Sequence, residues 1–360
     1  MAKVTLQSIA DKVGVSRMTV SNAFSRPDQL SADLRERILA AAADLGYSGP
    51  DPAARALARG RTGSVGMLIN GRVSESFTET SSVQLLASVA DDLAARGLAL
   101  TLLTPPPGGG FVPARDVAVD AVLVYSCDPR SGGLEWLARR KIPMVTIDET
   151  AYPGAASVNI DDRGGARAVA QHLVDLGHRR IGIIGVQDGG RPGPSGDLTT
   201  MLPNYPMAER MAGWREAIDA AADDDGPGVL TEVRVAPLAA KRAAPAGGPR
   251  SPSLVHEIAL DLLDHDVTAI ICFADVFVPG VYRAAAARGL SVPGDLSVVG
   301  FDDDPLAETL DPPLTTVRQD VPAKGRAAVA ALAEVMAGRM PAPVLHPTEL
   351  VVRGSTAPPS

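Results

Sequence analysis

The apolar positions of the first sixty residues recur at helical spacing in three short stretches, each preceded by a residue that can cap a helix. The caps are Thr5, Ser16 and Ser31, and Gly14 supplies a turn after the first helix. The third helix is expected to end before Gly46. Two helices joined by a Gly-containing turn and braced by a third predict a helix-turn-helix, whose second helix enters the major groove of DNA. A small helical bundle used only for packing is the alternative that this pattern leaves open.

The second predicted helix runs from Arg17 to about Ser25 and has two different faces. We expect Val15, Val20 and Phe24 to point inward. The outward positions are then Arg17, Met18, Ser21 and Asn22.

From Ser64 onward, short Val/Ile/Leu runs alternate with amphipathic helical stretches, and the same rhythm restarts after the middle of the chain. Such alternation predicts parallel sheets with helices on both faces, here in two successive lobes. Ligands of these sheets bind at the carboxyl ends of the strands, which corresponds to the cleft between the lobes. Two Gly/Pro/Ser-rich segments, Gln187 to Pro206 and Ala236 to Ser253, are predicted to be loops, the first a candidate lid.

Length and charge fit a small DNA module joined to a two-lobed domain. A chain of 360 residues is too long to fold around one small core. Its hydrophobic content of 46% allows several hydrophobic cores. The net charge of -8 is unevenly divided. Residues 1–61 hold nine Lys/Arg and six Asp/Glu, giving +3, and the remaining 25 and 36 give -11. The basic excess lies in the predicted DNA module, and because it is mild, we expect two copies to bind together.

The other residue types exclude most enzyme classes and a membrane or secreted location. Cys127 and Cys272 each end an apolar run and are expected to be buried thiols. His172 and His178 are interpreted as cap and surface residues, and no spacing of histidines predicts a metal site. No nucleophile elbow or phosphate loop is present. Without a signal peptide or a long apolar run, we expect a cytoplasmic protein with no cofactor, no metal and no catalysis.

The order of several motifs resembles the lactose-repressor (LacI/GalR) family of bacterial transcriptional regulators. The matching stretches are VTLQSIADKVGVSRMTVS, LSADLRERILAAAADLGY, ARAL, LVDLGHRRIGIIG, RMAGWREAI, LSVVGFDD and PPLTTVRQD. The resemblance implies an all-α helix-turn-helix domain followed by an α/β two-lobed domain like the periplasmic binding proteins. It also implies a homodimer that binds a pseudo-palindromic DNA operator.

The resemblance divides the chain into residues 1–48 for DNA binding, 49–62 for a hinge helix and 63–360 for effector binding and dimerisation. Lobe one is expected at about 63–160 and 320–348, and lobe two at about 161–319 and 349–357. The three crossings between lobes are placed near Ile160, Gln319 and Thr348. The expected dimer surface is the stretch VQLLASVADDLAARG with the helix Val321 to Met336.

The family's DNA contacts fall on two helices. Base contacts are implied for Arg17, Met18 and Asn22, since Arg suits guanine, Met a thymine methyl, and Asn adenine or a phosphate. The hydroxyl residues are candidates for phosphate bonds: Thr5, Ser16, Thr19 and Ser21. Residues 52–59 resemble the hinge helix, which contributes Ala54 and the wedge residue Leu57. Leu57 as an ordinary packing residue remains open, and Pro50 and Pro52 depart from the usual connection.

The family's ligand pocket implies Arg210 and Asp302, which can hold vicinal hydroxyls or a purine edge. A structural salt bridge between these two is the alternative. The other implied positions are Asp148, Asp275 and an apolar wall at Phe77, while Trp214 is either wall or core. Ala274 stands where many members have Asn, so one polar contact of classical sugar inducers is missing.

The sequence therefore predicts a repressor controlled by a sugar- or nucleoside-like effector bound between the lobes. A regulator with a degenerate or protein-responsive sensor domain remains the second hypothesis. The sign of the response, inducer or corepressor, stays open.

Overall fold

The computed structural model describes residues 4–49, 51–69, 77, 79–104, 112–125, 132–187, 193–194, 204–222, 230–237 and 254–360. The chain divides into two compact units, Met1–Gly63 and Ser64–Ser360. Within the described ranges, no helix is long and apolar enough to cross a membrane.

The first unit consists of four helices whose starts are fixed by local capping. They are α1 (Leu6–Val13), α2 (Arg17–Ser25), α3 (Ala32–Asp44) and α4 (Pro52–Arg59). The side chains of Thr5, Ser16, Ser31 and Asp51 each accept a hydrogen bond from a backbone N–H of the following turn. Gly14 ends α1 at a φ of 75°, a left-handed conformation that favours glycine. These helices have the bounds that the sequence predicts.

The core of the first unit lies between α1, α2 and α3. Ile9, Val20 and Ile38 are fully buried, and Val15 and Phe24 are partly buried against them. This core holds α2 by its inner face and leaves its outer face exposed.

The second unit contains two parallel sheets and a small antiparallel pair. Its first sheet has the strand order β12-β5-β4-β3-β1-β2, its second β10-β9-β6-β8-β7, and β11 pairs with β13. The strands of the first sheet are β1 (Ser64–Ile69), β2 (Ala99–Leu103), β3 (Ala121–Tyr125), β4 (Met144–Ile147), β5 (Ala156–Ile160) and β12 (Val344–His346). Those of the second sheet are β6 (Arg180–Gln187), β7 (Gly193–Pro194), β8 (Leu230–Pro237), β9 (Ala269–Cys272) and β10 (Ser297–Val299), and the pair is β11 (Thr316–Gln319) and β13 (Thr348–Val351).

Helices cover both parallel sheets. They bury two hydrophobic cores against the first sheet and one around the second. Around the first sheet lie α5 (Thr80–Ala95), α6 (Pro113–Asp116), α7 (Gly133–Arg139) and α13 (Val321–Met336). Around the second lie α8 (Asp162–Asp175), α9 (Tyr205–Ala222), α10 (Leu254–Leu263), α11 (Val278–Ala287) and α12 (Leu306–Thr309). We call the first sheet with its helices lobe one and the second sheet with its helices lobe two.

The chain passes between the lobes at three places. β5 of lobe one ends at Ile160, and α8 of lobe two begins at Asp162. β11 ends at Gln319 and leads into α13, while β12 and β13 are separated by one residue, Pro347. The antiparallel pair β11–β13 therefore carries two of the three connections.

Two expectations about loops and one about a histidine need correction. Gln187 closes strand β6, residues 193–194 form β7, and residues 205–206 begin α9, so the first predicted loop is partly regular structure. Residues 236–237 likewise end β8, and the rest of both segments, like Cys127, lies outside the described residues. His178 is not a surface residue: it is 1% exposed, and its ring nitrogens lie 2.9 Å from Thr268 Oγ1 and the Ala357 carbonyl. Burial lowers the pKa of His178.

The pair α8 and α9 packs at very short range because Gly213 has no side chain. A Cβ at Gly213 would overlap the carbonyl oxygen of Arg163 on α8. The contact sets the separation of the two helices that carry Asp162 and Arg210.

We expect Gly213→Ala to lower the free energy of unfolding by about 1–3 kcal/mol, because a methyl group forces α8 and α9 apart. Thermal denaturation followed by circular dichroism measures the change. Asp219→Ala, at an exposed position of the same helix, is the control and should shift stability by less than about 0.5 kcal/mol. Equal melting temperatures for wild type and Gly213→Ala would contradict the close contact.

Candidate functional site

The outer face of α2 presents a cation and a large apolar side chain side by side. Arg17 is the first residue of the helix, and Met18 is 70% exposed. Asn22 lies one turn further along and donates from Nδ2 to Gln29 Oε1 at 3.3 Å. The Ser21 carbonyl accepts a hydrogen bond from the Ser25 hydroxyl. Such a face matches the groups that read base edges in a major groove.

The hydroxyl residues at the helix starts are occupied by capping. Ser16 Oγ accepts the Thr19 N–H at 3.0 Å and lies 2.8 Å from the Thr19 hydroxyl. Thr5 and Ser8 form a reciprocal capping box. The N–H groups of Ser8 and Thr19 are thus already paired, and the positive end of each helix dipole still favours a nearby phosphate.

A surface pocket with a volume of about 890 Å³ lies in the first unit, beside the start of α2. Its lining includes Thr5, Arg17, Tyr47, Asp51 and Arg55. Burial raises the pKa of the Tyr47 phenol above its usual value. The surface combines two guanidinium groups with hydroxyl donors, which suits an anionic backbone.

Helix α4 exposes its apolar residue instead of burying it. Asp51 caps the helix by accepting the Ala53 N–H at 2.9 Å, and Pro52 occupies the first turn, where its missing N–H costs nothing. Ala54 is exposed and Leu57 is 87% exposed. Pro50 lies outside the described residues. Leu57 takes no part in the core of its unit between α1, α2 and α3, which disfavours an ordinary packing role.

In the second unit, Arg210 on α9 gathers acceptors from three chain segments. Its Nε donates to Asp162 Oδ1 at 2.7 Å, and its Nη1 donates to the Phe273 carbonyl at 2.6 Å. Its Nη2 donates to Asp302 Oδ1 at 3.3 Å. The guanidinium carbon lies 3.5 Å from the ring centroid of Phe301 and 4.5 Å from that of Phe273.

This guanidinium is 4% exposed, and Asp162 is 1% exposed. Burial raises the pKa of Asp162 to about 7, and the charge of Arg210 opposes that shift. Arg210, Asp162 and Asp302 all belong to lobe two, so their ion pairs join segments of one lobe rather than the two lobes.

The loop after β10 carries Asp302 in a left-handed conformation, with a φ of 112°. Its Oδ1 also accepts a hydrogen bond from Gln319 Nε2 at 2.7 Å. The next residue, Asp303, has a φ of 52° and accepts hydrogen bonds from Arg318 and Arg353, each at 2.7 Å. Consecutive aspartates thus tie the loop to α9 on one side, and to β11 and the segment that follows β13 on the other.

Asp275 supports this loop from beneath and does not face solvent. It is fully buried, and its two oxygens accept hydrogen bonds from Thr316 Oγ1 at 2.6 Å and the Asp304 N–H at 2.9 Å. A Cβ at Gly300 would overlap Asp275 Oδ1, which explains the glycine at the end of the strand. Burial raises the pKa of Asp275 well above its usual value. Asp275 therefore positions the loop that holds Asp302.

Lobe one contributes a buried ion pair at the end of β4. Asp148 has a φ of 53°, and its Oδ2 accepts a hydrogen bond from Lys324 Nζ at 2.5 Å. Lys324 is 2% exposed and also donates to Gln319 Oε1 at 3.1 Å. Asp148 Oδ1 is buried and has no hydrogen-bond partner among the described residues.

The remaining expected residues lie apart from this cluster. Phe77 is 55% exposed, and its neighbours 70–76 and 78 lie outside the described residues. Trp214 is completely buried in the core of lobe two, which decides between its two interpretations. Ala274 is 1% exposed and packs in the same core.

The sequence interpretation missed Asp162 and Lys324. Lys324 lies on the buried face of α13, three residues after Val321 and four before Ala328, so helical spacing alone marks it as a buried charge. Asp162 gives a weaker signal, since it is one of two aspartates after an apolar strand.

Two family models match the chain. Residues 5–49 match bacterial regulatory proteins, lacI family, and residues 170–356 match the periplasmic binding protein-like domain. An HTH-type transcriptional regulator of Mycolicibacterium smegmatis is 36% identical over 371 residues, which cover 99% of this chain and 97% of that protein.

Solved structures with the same fold span nearly the whole chain. A transcriptional regulator CelR–cellobiose complex is 27% identical, with a TM-score of 0.65 over 98% of this chain and 100% of that one. The lac repressor dimer bound to operator and the anti-inducer ONPF is 24% identical, with a TM-score of 0.74 over 98% and 99%. The latter similarity concerns the fold.

We expect Arg210→Met to lower the free energy of unfolding of the second unit by about 3–5 kcal/mol, because Asp162 and Asp302 lose their buried cation. Arg163→Met is the control: Arg163 is 53% exposed and pairs with Glu216, so its loss should cost at most about 1 kcal/mol. Urea denaturation of both variants measures the difference. Similar losses in the two variants would show that the buried cluster is not a stabilising centre.

Proposed function

Because the chain belongs to the lacI family of bacterial regulatory proteins, we propose that it is a repressor that binds a pseudo-palindromic operator as a homodimer and responds to a small molecule bound between its lobes. The chain is thus a DNA-binding transcriptional regulator, and the proposal assigns it no catalysis.

The observation that carries the DNA-binding part is the exposure of Met18 and Leu57. They are the two most exposed large apolar side chains of the described residues, at 70% and 87%. Exposing such groups on helices costs hydration free energy unless a partner covers them. Met18 beside Arg17 fits a major groove, and Leu57 fits a wedge between minor-groove base steps.

The effector part is supported by a balance of donors and acceptors in the buried cluster. Each of the three guanidinium nitrogens of Arg210 donates to a protein acceptor, which uses three of its five N–H groups. Two buried carboxylate oxygens, Asp148 Oδ1 and Asp162 Oδ2, have no partner among the described residues. Buried carboxylate oxygens that still lack a donor favour a ligand with several hydroxyl or amino groups. A sugar or nucleoside has these groups, and cellobiose is the ligand of the CelR complex.

The roles of the implied effector residues follow from the same geometry. Asp148 and Asp302 contact the ligand, Arg210 orients Asp302, and Asp275 acts only through the loop it supports. Phe77 is proposed as an apolar wall, on the basis of its exposure.

The dimer surface is proposed to be the outer face of α5 and α13. A surface pocket with a volume of about 480 Å³ lies there. Its lining residues include Gln84, Asp91, Pro322 and Arg326. Asp91 and Arg326 carry opposite charges on one face, so a two-fold axis can bring each against the other on a second copy.

Selection of DNA from a random pool by the purified protein tests the function. We expect a two-fold symmetric site, and we expect Arg17→Met to lose discrimination at one base pair of each half-site by about 1–3 kcal/mol. Arg35→Met, an exposed position on α3, is the control and should select the wild-type site. Repeating the binding with cellobiose, other sugars and nucleosides identifies the effector.

Failure to select any site would overturn the proposal. A symmetric site insensitive to every compound would keep DNA binding and reject small-molecule control in favour of a protein-responsive sensor. An Arg17→Met variant that weakens all sequences equally would reassign Arg17 to a phosphate.

On the selected site, we expect Leu57→Ala to weaken binding at least about tenfold and to reduce DNA bending, because the smaller side chain no longer wedges the central step. Gel mobility with the site at different positions along a fragment reports the bend. Leu345→Ala, which truncates a 61% exposed leucine in lobe one, is the matched control. Unchanged affinity and unchanged bending for Leu57→Ala would refute the hinge role.

A further inference from the structure

An unbroken chain of five polar side chains runs from lobe two to lobe one. Arg210 Nη2 bonds Asp302 Oδ1 at 3.3 Å, and the same oxygen accepts Gln319 Nε2 at 2.7 Å. Gln319 Oε1 accepts Lys324 Nζ at 3.1 Å, and Lys324 Nζ donates to Asp148 Oδ2 at 2.5 Å. Both ends of the Gln319 amide are therefore used, one toward each lobe.

The members of this chain belong to different parts of the fold. Arg210 and Asp302 are in lobe two, on α9 and after β10. Asp148 and Lys324 are in lobe one, after β4 and in α13. Gln319 is the last residue of β11, on one of the three crossings. A relative movement of the lobes must therefore stretch or break the bonds that Gln319 makes.

Lys324 is the costly member of the chain. Helix α13 packs against lobe one through Val321, Gly325 and Ala328, and Lys324 lies on that buried face at 2% exposure. An apolar residue would pack there without desolvating an ammonium group, so stability alone does not require a lysine. Its ammonium instead satisfies two acceptors that belong to different segments, Asp148 and Gln319.

Asp148 shows that the arrangement is incomplete without a further group. Its backbone is left-handed, its Oδ2 is bound by Lys324, and its Oδ1 is buried without a partner among the described residues. A strained residue with an unfilled acceptor is typical of a binding position.

We propose that Lys324 is a positioning residue that orients Asp148 for the effector and, through Gln319, ties it to Asp302 across the lobes. The proposal rests on the effector site of the proposed function. Lys324 is the internal partner that keeps the aspartates of the two lobes in one register when no ligand is bound. A ligand whose hydroxyl or amino groups donate hydrogen bonds to Asp148 and Asp302 then changes the Gln319 bonds at the crossing, which is where the lobes are joined.

Hydrogen–deuterium exchange of the full-length, unliganded protein tests this without DNA or effector. We expect Lys324→Met to raise exchange about tenfold both in residues 145–150 of lobe one and in residues 300–305 of lobe two. Lys324→Arg, which keeps the cation and its donors, should restore most of the protection. Lys141→Met removes the same group from an exposed position of lobe one and should change neither segment.

A purely structural lysine gives a different result. It would loosen residues 145–150 alone, because only lobe one would lose a buried partner, and that outcome overturns the proposal. Unchanged exchange in both segments overturns it as well.

If Lys324→Met fails to fold, Gln319→Leu is the second variant. It removes the hydrogen bonds in the middle of the series of polar side chains and leaves no unpaired charge. We expect it to raise exchange in residues 300–305 while residues 145–150 keep their protection, and the proposal fails if residues 300–305 are unaffected. Since these measurements use no DNA, their outcome is separate from the operator selection that tests the proposed function.

Discussion

The geometry of lobe two depends on the burial of one guanidinium group, that of Arg210. Three acceptors from the start of α8, the end of β9 and the loop after β10 converge on it. A buried charge requires hydrogen-bond partners, and the three that Arg210 has hold these segments together around the guanidinium. The rings of Phe273 and Phe301 cover the charge and exclude water from it. The site is therefore organised around the Arg210 guanidinium, which binds protein acceptors from three segments.

The loop after β10 is hydrogen-bonded both to Arg210 and to residues at the connections between the lobes. Asp302 accepts hydrogen bonds from Arg210 and Gln319, while Asp303 accepts them from Arg318 on β11 and from Arg353, which follows β13. Both aspartates have a positive φ, which is unfavourable for residues other than glycine. Asp275 supports the loop that carries them, and burial raises its pKa. The surrounding hydrogen bonds maintain this strain and burial, so they hold the loop between α9 and the connections of the lobes.

The DNA-binding unit follows a different physical logic. Its helix starts are fixed by side chains only a few residues away, and its core is a small set of apolar residues inside residues 6–47. The outer residues of α2 and α4 take no part in this core. Met18 and Leu57 lie there, at 70% and 87% exposure.

The sequence by itself determined the helices of the first unit and the alternation of strands and helices, because capping and apolar periodicity act over a few residues. Arg210 and Asp302 were indicated only by the resemblance to a known family. Only the tertiary structure decided that Asp275 supports a loop, that Trp214 and His178 are buried, and that Asp162 and Lys324 complete the cluster. Lys324 and Asp148 are separated by 176 positions along the chain. No local pattern records such a pair, since its partners meet only when α13 packs against the end of β4.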